Sequence, residues 1–156
     1  MTNRRTEIER IQGQLRCALD GGAWHGPALQ EIIGDLSWSD ATRRPIPEAH
    51  SPWEIVAHIV TWLNVVAGRL GGEPVRPTQE ENWPSEAEPG EEAWAELRDR
   101  LNQAHARLRQ TLDGMTDDEL GNQVPGQEYT NYFMVHGAVQ HTLYHAGQIV
   151  VLAKGG

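Results

Sequence analysis

Thiol groups are almost absent from this sequence. Cys17 is the only cysteine among 156 residues. No disulfide can therefore form within the chain, and a structural zinc site built on pairs of cysteines is excluded. Any metal ion that the protein binds must be held by histidine, aspartate or glutamate side chains.

Long hydrophobic runs are absent as well. The longest purely apolar run covers only residues 149–153, whereas a membrane-spanning helix needs about 20 apolar residues. No apolar core of a signal peptide follows the amino-terminal residues 1–7. The hydrophobic content of 38% and the mean hydropathy of -0.56 are typical of a soluble globular protein. We expect a cytoplasmic protein without a membrane partner.

Positive charge is scarce. The chain has 13 Lys and Arg residues against 22 Asp and Glu residues, which gives a formal net charge of -9 at pH 7. Nucleic-acid binding depends on clustered cationic side chains that neutralise phosphates, and the cationic residues here are scattered along the sequence. We expect no nucleic-acid partner.

Apolar residues recur at intervals of three and four through most of the chain, which is the spacing of amphipathic helices. The predicted helices are residues 6–20, 28–36, 51 to about 70, 91–112 and a last one that Thr130 or Asn131 caps. No segment alternates apolar and polar residues for long enough to predict a strand. The four longer helices, with their apolar faces turned inward, predict an all-α fold, a four-helix bundle in one domain over residues 1–156.

The two ends of the second long helix are marked clearly. Ser51, Pro52 and Glu54 combine an N-cap serine, a proline at the first helical position and a capping-box glutamate. Residues 71–90 contain four prolines and predict a long irregular connection instead of a regular element. At roughly 3.3 Å per residue this connection can run the length of a helix, so the helices that flank it can lie parallel.

Three histidines fall on the apolar faces of two predicted helices. His141 and His145 are four residues apart and lie within about 40° of each other on one face, and His58 has the same kind of position in the helix that starts after Ser51. Bundles build metal sites from side chains on facing helices. Three neutral imidazoles suit Zn²⁺, Ni²⁺, Fe²⁺ or Cu²⁺ and leave a fourth position open. The alternative is three separate core histidines, each with its own hydrogen-bond partner.

Other metal chemistries fit the sequence less well. Thr142 stands where a His-Glu-x-x-His metalloprotease carries its glutamate base. Glu54 precedes His58 by four residues and could be a fourth ligand, but its capping position explains it more simply. His136 lies about 140° around the helix from His141, so we exclude it from the ligand set. No catalytic residue and no site for an organic cofactor can be named.

The remaining histidines, His25, His50 and His105, are expected at the surface or in loops. His50 directly precedes the capped helix and could line a pocket. Gln148 lies three residues beyond His145 on the same side of the helix. It could hydrogen-bond a ligand histidine or a substrate, or it could simply pack at the edge of the core.

Two aromatic residues and two glycines lie close to the histidines in the sequence. For Trp62 and Tyr144, packing in the core is favoured over lining a pocket. Gly137 and Gly147 each cost up to ~1 kcal/mol relative to alanine inside a helix. The close approach of another helix is the usual compensation, and Gly147 could mark a subunit contact.

Several motifs together resemble the DinB/YfiT-like family. They are Trp24-His25-Gly26-Pro27, His50-Ser51-Pro52-Trp53-Glu54 with His58, Trp83-Pro84, and the nine residues 141–149. The resemblance covers nearly the whole chain, and its most specific part is the last motif combined with the upstream histidine. It implies a four-helix bundle with up-down-down-up topology and, in many members, a homodimer. It also implies a metal site in which His58, His141 and His145 are the ligands.

The resemblance makes a metal-dependent enzyme one possibility, because some members of the family are enzymes of this kind. Some relatives are S-transferases or isomerases that use bacillithiol, mycothiol or a similar low-molecular-weight thiol, and many have no known activity. A thiol S-transferase with Zn or Ni, or with Fe or Mn, is therefore one hypothesis for this chain. A metal-dependent hydrolase and a non-catalytic metal-binding dimeric bundle are the alternatives.

Overall fold

The computed structural model describes residues 6–155, which fold into helices and contain no strand beyond two isolated bridges. The predicted all-α fold is confirmed. Residues 1–5 and 156 lie outside the described residues, and so do the parts of two predictions that fall on them. These predictions are the single domain over residues 1–156 and the missing signal peptide, inferred from residues 1–7.

Four long helices alternate with short ones. In chain order the helices are α1 (Glu7–Leu19), α2 (Leu29–Gly34), α3 (Trp38–Thr42), α4 (Pro52–Leu70), α5 (Gln79–Asn82), α6 (Glu91–Asp113), a 3₁₀ helix (Asp117–Gly121) and α7 (Asn131–Lys154). The long helices α1, α4, α6 and α7 agree with the predicted ones to within a residue or two at the boundaries that the sequence marks.

Side-chain caps explain where the long helices begin. The Ser51 hydroxyl accepts a hydrogen bond from Glu54 N at 3.3 Å, and the Glu54 carboxylate accepts one from Ser51 N at 2.7 Å. This capping box starts α4 where the sequence predicted it. At the start of α7 the Thr130 hydroxyl accepts from Phe133 N at 3.2 Å. Thr130, and not Asn131, is therefore the N-cap.

The prediction that residues 71–90 form an irregular connection was wrong in one place, because α5 lies within it. Thr78 and Glu81 form a second capping box, in which Thr78 N donates to the Glu81 carboxylate at 2.8 Å. The two hydrogen bonds of this capping box satisfy two backbone N–H groups at the start of the turn, so a helix shorter than two turns can form between prolines. The short helix α3, capped by Ser37, was not predicted either.

One hydrophobic core joins the long helices. Helix α4 packs against α6 and α7, and α1 packs against the same two helices. The largest fully buried side chains of these helices include Ile11, Leu15, Ile59, Leu101, Leu108 and Ile149. Burial of each such side chain contributes roughly 1.5–3 kcal/mol. This core holds α4 beside α7 and so brings His58 towards His141 and His145. The up-down-down-up order of the helices stays a prediction.

Membrane insertion finds no support in the helices. Over residues 6–155, no helix combines the length and the apolar character that crossing a bilayer requires.

Candidate metal centre

Three imidazole rings converge between α4 and α7. The Nε2 atom of His141 lies 3.0 Å from Nε2 of His58 and 3.1 Å from Nε2 of His145. His58 and His145 are buried and His141 is half-buried. The helix spacing placed His141 and His145 on one face, and the packing of α4 against α7 adds the third ring. The structure thus brings together the three histidines that the sequence singled out.

Two of these rings are held by hydrogen bonds on their outer side. His58 Nδ1 lies 2.6 Å from the backbone carbonyl of Asn82, and His145 Nδ1 lies 2.6 Å from Oε1 of Gln148. Because a carbonyl oxygen only accepts, the ring proton sits on Nδ1 in both cases and donates to it. Each Nε2 is then left with a lone pair that points towards His141. The hydrogen bond between Gln148 and His145, one of three roles considered for Gln148, is present.

This donor set fits a divalent transition-metal ion. His141 Nε2 carries at most one proton, so it can donate to only one of the two lone pairs that face it at 3.0 and 3.1 Å. At least one contact therefore sets two lone pairs against each other without a proton. A cation among the three nitrogens would remove that repulsion. In a tetrahedral site with metal–nitrogen bonds of about 2.05 Å, two nitrogens lie about 3.3 Å apart, which is close to the distances in this cluster.

The surroundings of the cluster lower the pKa values of its histidines and so favour the neutral rings that bind metals. Burial, reinforced by His145 and His58, lowers the pKa of His141 to about 3. Burial also lowers the pKa values of His58 and His145, while their hydrogen bonds to Asn82 and Gln148 act in the opposite direction. All three imidazoles are therefore neutral at pH 7 and able to act as ligands.

An aromatic stack supports one side of the cluster. The Trp83 ring lies between His50, with a centroid distance of 3.6 Å, and His58, with a centroid distance of 3.8 Å, and both pairs are parallel to within 6°. Trp83 directly follows α5, whose last residue Asn82 supplies the carbonyl that orients His58. Sequence reasoning missed the role of Asn82 because it treated this segment as irregular. The Thr78–Glu81 capping box was the signal that could have found it.

Glu54 is fully engaged outside the cluster. One carboxylate oxygen accepts from Ser51 N at 2.7 Å and the other accepts from Arg44. The structure therefore gives Glu54 the capping role that the sequence favoured over a ligand role.

The other histidines lie outside the cluster. His136 packs against Tyr132 with ring centroids 4.4 Å apart and ring planes tilted by 53°, and His25 is exposed. His50 is half-buried, in the stack with Trp83. The prediction that His105 lies at the surface or in a loop was wrong, because it is 6% exposed within α6. Helix α6 packs against both α1 and α4, so the neighbouring residues Ala104 and His105 can both be buried.

Two cavities reach the cluster at different histidines. The larger one, about 640 Å³, touches His145, Tyr144 and Gln148. The smaller one, about 210 Å³, touches His141 and Trp62 and is lined mainly by apolar side chains. The preference for core packing of Tyr144 was wrong: the residue is 66% exposed, because no helix within residues 6–155 covers that face of α7. Trp62 is half-buried and lines the smaller cavity.

The two glycines of α7 do not mark helix contacts within the chain. Apart from the adjacent residues and the nearby backbone of α7 itself, no heavy atom of residues 6–155 lies within 4 Å of a Cβ placed on Gly137 or on Gly147. The expected close approach of another helix is therefore absent there, and Gly137 and Gly147 instead line the smaller and the larger cavity, respectively.

Comparison with known proteins decides the family. A family model described as the DinB superfamily matches residues 23–149. The chain belongs to the DinB superfamily. The predicted resemblance is thereby confirmed, and the match includes all three histidines of the cluster.

One solved structure shares the fold of this DinB-superfamily chain. It is a crystal structure described as the conserved protein of a locus from Enterococcus faecalis, with a TM-score of 0.73, 15% sequence identity and coverage of 97% of this chain and 98% of that chain. At this identity the likeness shows the fold alone. No curated protein matches the chain.

Proposed function

We propose that this chain binds one divalent transition-metal ion through Nε2 of His58, His141 and His145. The convergence of the three Nε2 atoms supports this proposal, and so do the two outer hydrogen bonds that hold His58 and His145 in one tautomer. Three imidazoles suit Zn²⁺ or Ni²⁺ best, and Fe²⁺ or Mn²⁺ less well.

We further propose that the protein is an S-transferase that joins a low-molecular-weight thiol to an electrophilic carbon of a second substrate. The thiol loses its proton to solvent, its sulfur forms a bond to the carbon, and the leaving group departs with the electron pair of the broken bond. A divalent ion held by His58, His141 and His145 would supply the acidity that lowers the thiol pKa from about 8.5. A thiol needs a smaller lowering of its pKa than water does to become a nucleophilic anion at neutral pH.

The observation that carries this proposal is the pair of cavities. A transferase has to hold two substrates, and the cluster is reached at His145 from a cavity of about 640 Å³ and at His141 from one of about 210 Å³. The smaller cavity is mainly apolar and suits the carbon skeleton of an electrophile. The larger one carries polar groups that suit a hydrophilic thiol.

Specific side chains of the larger cavity can orient a polar ligand. Oε1 of Gln148 is occupied by His145 at 2.6 Å, so the amide N–H groups of Gln148 are free to donate into the cavity. Tyr144 and His50 line the same space. Trp83 covers the face of His58 at 3.8 Å and shields that ring from water.

Metal-dependent hydrolysis is the second candidate. Glu48 lines the larger cavity together with His145, so a carboxylate is present in the space where a water molecule would be activated. Against this candidate, Glu54 is engaged in a cap and Thr142 replaces the glutamate base of the His-Glu-x-x-His enzymes.

An activity assay separates the two candidates. Metal-loaded protein is supplied with bacillithiol, mycothiol, glutathione or cysteine and the electrophile monochlorobimane, and in parallel with ester and amide substrates without thiol. We expect thiol-dependent conjugation that requires metal and disappears in His145→Ala, while His25→Ala, a change at an exposed histidine, retains it. Metal-dependent hydrolysis without any conjugation would replace the transferase by the hydrolase.

A homodimer is also part of the proposal. Tyr144, Gly147 and Val151 lie at intervals of three and four on one exposed face of α7, and an apolar exposed face of this kind favours contact with a second copy. Because these residues line the larger cavity, a second chain there would also narrow its mouth. Light scattering coupled to size-exclusion chromatography, with Val151→Glu as the disrupting variant, tests this state.

A further inference from the structure

Arg69 is a buried cation that has no anionic partner among residues 6–155. Its side chain, near the end of α4, is 6% exposed, and within residues 6–155 no carboxylate lies within ion-pair distance of it. Buried charges are normally paired, because the loss of hydration is costly. In a chain with 22 acidic residues, a missing carboxylate at this position calls for a physical reason.

The hydrogen bonds of Arg69 use only part of its guanidinium group. Nε donates to the Val75 carbonyl at 3.0 Å, and one terminal nitrogen donates to the Tyr129 hydroxyl at 2.8 Å. The Trp62 ring lies 5.7 Å from Cζ and stabilises the cation without neutralising it. An arginine has five N–H groups in a planar fork, and the second terminal nitrogen makes no hydrogen bond within the described part of the chain.

Arg69 lines a polar cavity of about 380 Å³. A second arginine, Arg76, lines the same cavity and donates to the Gly126 carbonyl at 3.2 Å. The other polar lining residues are neutral, and they are Thr78, Gln79, Asn82 and Gln127. No aspartate or glutamate is among the described residues that line it. The Glu81 carboxylate, close by in sequence, is held by Thr78 N at 2.8 Å.

We propose that this cavity binds the oxyanionic group, a carboxylate or a phosphate, of a small organic ligand between Arg69 and Arg76. Guanidinium groups recognise both kinds of oxyanion through paired, charge-assisted hydrogen bonds. The neutral amides of Gln79 and Gln127 can complete the remaining bonds. An anionic ligand in this cavity would pair with Arg69, for which residues 6–155 supply no carboxylate.

The position of the cavity connects it with the metal centre. Trp62 and Arg69 line both this cavity and the smaller cavity that touches His141. Trp62 also donates from Nε1 to the Asn82 side chain at 2.8 Å, while the Asn82 backbone carbonyl orients His58 at 2.6 Å. A ligand whose anionic end lies at Arg69 can therefore extend past Trp62 towards the histidines. The identification of this ligand as a substrate rests on the proposed function, whereas the anion site does not.

Calorimetric titration of the full chain tests the site without relying on activity. Succinate, inorganic phosphate and the neutral analogue succinamide are titrated at constant ionic strength, both into the protein as purified and after metal has been removed by chelation. We expect saturable binding of about one succinate or phosphate per chain in both preparations and none of succinamide, because the charge of the ligand carries the interaction. The anion that binds more tightly identifies the kind of group.

Two variants and one control locate the site. Arg76 is exposed, so Arg76→Gln leaves the core intact and should weaken anion binding about tenfold or more. Arg69→Lys keeps the charge but loses the fork, and a similar loss is expected if circular dichroism shows a folded protein. Arg10→Gln, which removes an exposed charge that pairs with Glu7 on α1, should bind like the parent.

Three results would overturn the anion site. They are the absence of saturable binding by both anions, equal losses in Arg76→Gln and Arg10→Gln, and binding that disappears with the metal. Intact anion binding together with absent thiol conjugation would support the site and count against the transferase only.

Discussion

Within residues 6–155, buried histidines occur in two places, and only one of them has the geometry of a metal centre. His58 and His145 are 5% and 6% exposed, and His105 on α6 is also 6% exposed. Burial lowers the pKa of each of these rings. Depth and protonation therefore do not distinguish the two places.

The difference lies in what the ring nitrogens face. In the cluster the Nδ1 atoms of His58 and His145 are fixed by carbonyl oxygens, so the lone pairs on Nε2 converge on His141. The Nδ1 atom of His105 lies 3.6 Å from Asp20, and its Nε2 atom has no hydrogen-bond partner within residues 6–155. Convergent and oriented lone pairs, and not burial, make a candidate metal site.

Removal of one ligand should give the largest effect. We expect about one divalent ion per purified chain and a near-complete loss of metal in His141→Ala, because two imidazoles alone hold an ion weakly. His58→Ala and His145→Ala should behave alike. Elemental analysis by mass spectrometry gives the ratio of metal to protein.

The comparison supplies the control for this prediction. His105→Ala and His136→Ala should keep the metal content of the parent. Loss of metal in His136→Ala with full retention in His141→Ala would show that the assigned ligand set is wrong.

Loosening an outer hydrogen bond should have a smaller effect on the same site. Gln148→Ala leaves His145 in place but frees its ring to rotate, and we expect metal affinity to fall about 10–100-fold. Competition with a chromophoric chelator measures the change. Gln140→Ala, an exposed position on the same helix, is the matched control, and an equal loss in both variants would remove the proposed role of Gln148.

Acidification should lower the free energy of unfolding through the histidines of the cluster. The folded chain holds His141 at a pKa of about 3, while unfolded histidine has a pKa of about 6.5. The unfolded state therefore takes up protons first. The contribution of His141 to the free energy of unfolding is therefore most favourable above about pH 6.5, and it decreases progressively as the pH falls below that value.

Bound metal should steepen this dependence, because protons then also compete for the ligand nitrogens. We expect the free energy of unfolding to fall more between about pH 7.5 and about pH 5 with zinc than with a chelator. Urea titration monitored by circular dichroism measures this difference. Identical pH dependence in the two conditions would mean that zinc does not bind the titrating histidines.

The smallest effect is expected at His105. An apolar side chain of similar size avoids a buried nitrogen without a partner, so His105→Leu should change the free energy of unfolding by less than about 1 kcal/mol at neutral pH. Metal content should stay that of the parent. A loss of several kcal/mol would indicate that the contact between His105 and Asp20 stabilises the fold more than its 3.6 Å separation suggests.

Helix periodicity explains why the metal candidates could be predicted from the sequence. His141 and His145 are four residues apart on the apolar face of α7, and Ser51 with Glu54 fixes the start of the helix that carries His58. These are local signals, each contained in a few neighbouring residues. These signals were sufficient to predict the long helices and to place the three histidines on their apolar faces.

Contacts between distant segments explain what was missed. Asn82 orients His58 across 24 residues of sequence, and the prolines of residues 71–90 hid the single turn that presents it. Tyr144 was expected in the core because it is bulky and close to the histidines, but which faces of α7 remain uncovered depends on the arrangement of all helices. That Arg69 has no carboxylate partner within residues 6–155 could not be recognised until its neighbours were known.

The most direct test of the metal site is a crystal structure of the metal-loaded protein with anomalous scattering measured on both sides of the absorption edge of the metal. We predict one peak at about 2.0–2.1 Å from Nε2 of each of His58, His141 and His145. A peak elsewhere, or a loaded protein without a peak among these three nitrogens, would contradict the account.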